Sequence, residues 1–147
     1  MPLYFIFFIT IKPKQMQVAV WDTYVKSRSG MVLHFDIIVP ESVKDADTIY
    51  NFGTRHLSDI GEQGSQLSTN ECRFCHIEEP APEVLAAIEN KGYYILEMDA
   101  IPSSLGTDAS RRDKIMYLKG HYPKFRFQSF KGIPEDEVDR MLSDTGE

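Results

Sequence analysis

The sequence predicts an α+β domain: a small mixed or antiparallel sheet with an N-terminal β-hairpin and two packed helices, in the order β-β-α-β-α-β, followed by a short C-terminal β/α extension. Three observations carry this. Two β-rich runs flank a polar turn near the start. Two later segments space their apolar residues at the helical period and end on Gly. Strand-like runs follow both helical segments, a mixed order that belongs to α+β architecture. A chain of 147 residues buries roughly 68–70% of its unfolded surface in one core, so neither a disulfide nor a structural metal is needed for stability.

Composition narrows the class. With 42% hydrophobic and 26% charged residues, 16 Lys and Arg against 22 Asp and Glu, and a net charge of −6, the chain is not collagen-like, disordered, disulfide-scaffolded or a multi-span membrane protein. The acidic balance argues against bulk electrostatic binding to nucleic acid or anionic lipid. It is an average, however: residues 1–110 carry −7, residues 111–131 carry +6 and residues 132–147 carry −5. A basic block followed at once by an acidic one is expected to neutralise itself within the fold.

The elements follow in order. Leu3 to Ile11 is an uncharged apolar run, too short for a bilayer span of about 20 residues. Its Lys residues come after the run and no A-x-A site follows, so it does not read as a signal peptide. Residues 1–15 are either a genuine strand or upstream sequence before a start at Met16. From Gln17 to Val39 lies the hairpin, QVAVWDTYV and MVLHFDIIV around the turn KSRSG. A turn centred near Arg28 pairs Trp21 with Phe35, Asp22 with His34 and Val20 with Asp36. Ala19, Trp21, Thr23, Leu33, Phe35, Ile37 and Val39 then form the core face, and Asp22, Tyr24, His34 and Asp36 share the wetter one.

Asp45 and Asp47 precede a helix with its stripe at Ile49, Phe52, Leu57 and Ile60, closed by Gly61. Gly53 within it either permits close packing on the sheet or is merely tolerated. The string ECRFCHIEE follows a polar loop. A second helix opens at Pro82, carries Val84, Leu85 and Ile88, and ends at Gly92. Tyr93 to Met98 reads as the last strand of a domain spanning 16–100. Residues 101–113 have a linker's composition, and 114–147 form an extension with a strand pair in KIMYLKG and KFRFQSFKG and a helix from Pro134 to Ser143.

Three constellations could carry chemistry. Cys72, Cys75 and His76 form a C-x-x-C-H, whose spacing suggests haem attachment, a redox dithiol or half of a zinc site. Zinc wants four ligands, so His34, His56 or His121 would have to join. In a strand the two sulfurs point apart. In a turn or helix start, with Ser68 and Glu71 at capping-box spacing, they converge. The plain reading is two small, half-buried residues in a reduced protein. The second constellation is Asp22, His34 and Asp36, an imidazole between two carboxylates, suited to acid/base work or metal binding, or simply a polar cross-strand cluster. The third is the basic run Arg111, Arg112, Lys114, Lys119, Lys124, Arg126 and Lys131. Its interleaved aromatics resemble a single-strand nucleic-acid platform as much as an ordinary half-buried strand.

The strings VAVWDTYV, HFDIIVP, ECRFCHIEE and KGYYILEM, in this order, resemble the bacterial family known as domain of unknown function 2024 over residues 16–99. The resemblance implies a compact single-domain α+β fold and a family-like start at Met16. It implies no substrate, cofactor or catalytic residue, and both flanks lie outside it. The sequence therefore points to a cytoplasmic, non-catalytic binding or regulatory module with no cofactor assigned. A metal-binding or thiol-redox protein, with zinc as the candidate ion, is the alternative, and nucleic-acid binding through 111–131 is the second. No membrane partner is expected, and homo-oligomerisation stays open.

Overall fold

The computed structural model describes residues 16–65 and 67–145; the apolar run 3–11 lies outside the described residues. The elements are β1 (Val18–Lys26), β2 (Val32–Pro40), α1 (Ala46–Asp59), β3 (Cys72–Glu78), α2 (Pro82–Lys91), β4 (Tyr94–Glu97), α3 (Arg111–His121) and α4 (Glu135–Thr145), with a 3-10 turn at Pro123–Phe125. The strands form one antiparallel sheet in the order β3-β1-β2-β4. The α+β class and the β-β-α-β-α-β order up to β4 are those the sequence predicts.

The hairpin register differs from the expected one by two residues. Ser27 N–H donates to the Met31 carbonyl at 2.8 Å, and Gly30 closes the loop with φ at 86°. A three-residue loop ending in a left-handed residue is a standard hairpin closure, and Gly takes that conformation without a Cβ clash. The centre is thus Ser29, not Arg28. Asp22 faces Asp36, Tyr24 faces His34 and Trp21 faces Ile37, correcting the Asp22–His34, Val20–Asp36 and Trp21–Phe35 pairings. The offset is even, so every side chain keeps its predicted face.

Both faces are covered. On the first, Ala19, Val25, Phe35, Ile37 and Val39 pack with Ile49 and Leu57 of α1, and with Leu67, Cys72 and Tyr93. A Cβ on Gly53 would lie 2.1 Å from Leu67 Cδ1 and 2.9 Å from Ile37 Cδ1, so this glycine serves close packing. The expected stripe ends early, because Ile60 is exposed. On the second face α2 presses Val84 and Ile88 onto Val18, Val20 and Ile38 at one end. At the other end Tyr24 and Val32 meet Ile101, Met116 and Phe127.

The C-terminal extension is helical, which corrects the expected strand pair. Ser110 and Asp113 make a reciprocal capping box that starts α3, an S-x-x-D signal that outweighs the strand-like composition of KIMYLKG. The presumed linker begins with a core residue: Ile101 is 3% exposed and exchanges backbone hydrogen bonds with Val32. Leu118, Phe130 and Val138 form a satellite core between α3 and α4. The basic and acidic blocks do meet, as Arg111 reaches Glu135 at 3.1 Å and Lys114 bridges Glu135 and Asp139 at 2.8 Å each.

Arg126 ties this extension to the sheet domain. It is buried, and its guanidinium donates to the carbonyls of Lys119, Gly120 and Asn70 at 3.1, 2.7 and 2.9 Å while lying 5.5 Å from the Tyr24 ring. The first two carbonyls end α3, where a helix dipole favours a cation. Arg126→Leu is expected to lower stability by roughly 2–3 kcal/mol, since it strands three carbonyls. Denaturant unfolding measures the loss, and hydrogen exchange should show it concentrated in residues 111–145.

Candidate functional site

The polar residues of the hairpin sit where the two covers of the second face meet. Along that face the cross-strand rows run Val20–Ile38, Asp22–Asp36, Tyr24–His34 and Lys26–Val32. The apolar rows are taken by α2 and by the C-terminal segment, which leaves the Asp22–Asp36 row in the seam. His34 reaches diagonally, placing Nε2 2.7 Å from Asp22 Oδ1. Its ring stacks on Tyr24 with centroids 4.2 Å apart and planes 8° from parallel. Asp22, His34 and Asp36 each offer a ligand atom within 4.8 Å of the others, and they are the one such group of three or more His, Cys, Asp or Glu among the described residues.

The electrostatics follow from burial. Asp36 is 9% exposed, and desolvation, then the facing Asp22 charge, pushes its carboxyl up to about 6; His34 opposes the rise. Burial likewise raises the Tyr24 phenol, with Asp22 adding to the effect.

The two cysteines of the C-x-x-C-H do not converge. The segment is strand β3, paired with β1, and Cys72 is buried while Cys75 is exposed. Cys72 accepts a hydrogen bond from Thr23 Oγ1 at 3.3 Å within the α1-side core. Ser68 and Glu71 do pair, through backbone and side chain, but the turn they make leads into a strand and not a helix. The strict alternation expected of a strand is also interrupted. Trp21 pairs with Phe74 and Val20 with His76, leaving Cys75 as a bulge. Beyond the bulge the faces exchange, so Ile77 pairs with Ala19 on the Phe74 side and His76 leaves it. His76 contacts Cys75 Sγ at 3.3 Å and Glu78 at 3.0 Å.

The remaining histidines are dispersed. His56 packs edge-on to Phe35 on the α1 side, its Nε2 3.0 Å from Glu97 without hydrogen-bond alignment, and burial lowers its pKa. His121 meets the Pro102 carbonyl at 2.8 Å. Neither joins His34, Cys72, Cys75 or His76 in a ligand set.

One feature was invisible to sequence patterns. His34 also borders a cleft of about 810 Å³, whose other wall is the 98–109 segment and the first turns of α3. Met98, Ile101, Leu105 and Met116 give it an apolar lining, and Arg112 and Asp108 stand among its polar residues. A second groove of about 570 Å³ is lined by Trp21, Tyr50, Phe74 and Phe127.

The family model of a domain of unknown function, DUF2024, matches residues 16–98. The chain is similar in structure to protein NE1680 from Nitrosomonas europaea, solved by NMR, with 44% identity and a TM-score of 0.52 over 57% of this chain and 96% of that one. No curated protein matches. No helix among the described residues is long and apolar enough to cross a membrane.

Two measurements test this geometry. An acid whose folded pKa is raised carries its proton further up the pH scale when folded. Its ionisation therefore opposes folding increasingly from about pH 4 to pH 6 and fully above. Asp36→Asn is expected to gain about 3 kcal/mol at pH 8, with the gain vanishing below about pH 4; thermal denaturation with a chelator present follows it. For the thiols, burial pushes Cys72 up to about 11. A thiol reagent at pH 7.5 should modify Cys75 in the folded chain and Cys72 only on unfolding, and two rapid equivalents would contradict the placement.

Proposed function

The chain belongs to the DUF2024 family, and from that premise we propose that it is a non-catalytic ligand-binding module whose site is the cleft beside His34. One observation carries the reading: the polar cluster of the hairpin opens, through His34, onto a cleft of about 810 Å³. That is the size of pockets that take small organic molecules, which combine an apolar lining with a few placed polar groups. Met98, Leu105 and Met116 suit an apolar body, while Arg112 offers donors, and His34 a polar ring edge, to a polar or anionic end.

A non-catalytic role is favoured because no Ser, Thr or Cys nucleophile stands in hydrogen-bond reach of His34 among the described residues. We read the module as cytoplasmic, where two free cysteines are at home. The dithiol alternative gains no support from one buried and one exposed thiol, both raised by burial and nearby carboxylates. The nucleic-acid alternative loses its central cation to the interior with Arg126, and Arg111 and Lys114 to ion pairs with α4.

Thermal-shift screening of the full chain against nucleosides, amino acids and small carboxylic acids tests the proposal. At least one compound is expected to raise Tm with increasing concentration. The shift should disappear in Ala109→Trp, which places an indole in the cleft. No stabilising compound, or a shift indifferent to this substitution, would overturn the assignment.

A further inference from the structure

In the seam of the second face, Asp22 is matched and Asp36 is not. Asp22 Oδ1 has the His34 ring nitrogen at 2.7 Å. Asp36 is 9% exposed, stands directly opposite Asp22 in the register, and accepts no hydrogen bond from any described residue. Like charges directly opposite one another on adjacent strands repel. Buried carboxylates are ordinarily paired with a cation or coordinate a metal, and the His34 imidazole is engaged with the other carboxylate.

We propose that Asp22, His34 and Asp36 bind one divalent transition-metal ion. The three ligand atoms already lie within 4.8 Å of one another, so only small side-chain adjustments are needed to close on a common centre. One imidazole nitrogen with two carboxylate oxygens is a donor set for zinc and its first-row neighbours; calcium and magnesium take oxygen ligands. Two carboxylates and a neutral imidazole balance a dication, which removes the repulsion across the strands. Coordination through Nε2 replaces any proton on that nitrogen, and the proton leaves to solvent. The Tyr24 ring, stacked at 4.2 Å, fixes the imidazole plane beforehand. The site goes beyond the cleft reading and stands without it, because His34 alone of the three borders the cleft.

The test uses the full chain, stripped with EDTA and titrated with zinc by calorimetry and with cobalt(II) by visible absorption. One ion per chain is expected. Asp36→Asn should weaken it by roughly tenfold or more, on the scale of losses from perturbed metal sites, and Asp22→Asn carries the same expectation for the second carboxylate. Cys75→Ser and His76→Ala should leave affinity unchanged, since those residues lie outside the set. Absence of saturable binding, binding that survives both carboxylate substitutions, or binding lost with Cys75 or His76 would overturn the site. Ala109→Trp should retain the metal, so a failure of the cleft assignment and a failure of the metal site give different results.

Discussion

Ser27 and Met31 close the β1–β2 hairpin across Arg28, Ser29 and Gly30, and the left-handed Gly30 fixes which residue of β2 stands opposite each residue of β1. The remaining architecture depends on that register. These are the two central strands of the sheet, and both of their faces are packed, by α1 on one side and by α2 and the C-terminal segment on the other. A slip by one residue would exchange the faces. Were β2 the strand that slipped, His34 and Asp36 would enter the α1 core, and Phe35 and Ile37 would enter the polar seam. The burial of apolar side chains on both faces thus opposes the slip, and the polar row is held in place by its apolar neighbours along the same strands.

Where a pattern was local, the sequence disclosed it. The alternation of β1 and β2 placed each side chain on its face, the 3.6-residue stripes found α1 and α2, and Pro82 and Gly92 bounded the second helix. What failed depended on conformations that composition does not encode. The register needed the positive φ of Gly30, and the facing of His76 and Ile77 needed the bulge at Cys75. In the extension, β-branched and aromatic residues suggested strands where the Ser110–Asp113 cap starts a helix, a local signal that the strand reading left out. The Asp22–His34–Asp36 group survived a wrong register because an imidazole spans the diagonal between strands as well as the direct pairing. The C-x-x-C-H string had the opposite fate, since adjacency in a strand separates side chains in space. The cleft could not be read at all: its walls are about 70 residues apart in the chain and share no periodicity.

The C-terminal segment changes what the family domain presents. The DUF2024 match ends at residue 98, and most of the cleft wall facing His34 comes from residues beyond it. The sheet carries the polar row, and the extension encloses it. Arg126 makes this enclosure firm by pairing a buried charge with three carbonyls, a use of arginine that relies on its fixed fork of donors. Lysine has no such fork. The basic run therefore divides by role, with Arg126 inside as a clamp, Arg111 and Lys114 answering the acidic face of α4, and Arg112 left to line the cleft.

A sheet selected for stability alone would not keep two carboxylates opposite each other with an imidazole bonded to only one of them. The rows on either side show the alternative, because Val20–Ile38 is apolar and Lys26–Val32 carries one charge whose stem can reach solvent. A burden at one row persists only where the surroundings over-determine the structure, and such departures from local preference cluster at functional sites. Here the over-determination is visible in Gly53, which brings α1 against Ile37, in Gly30, which sets the register, and in Arg126, which anchors the second cover. These three lie away from the polar row, yet each holds in place an element that borders it. The facing carboxylates thus stand in the one seam whose histidine also borders the cleft.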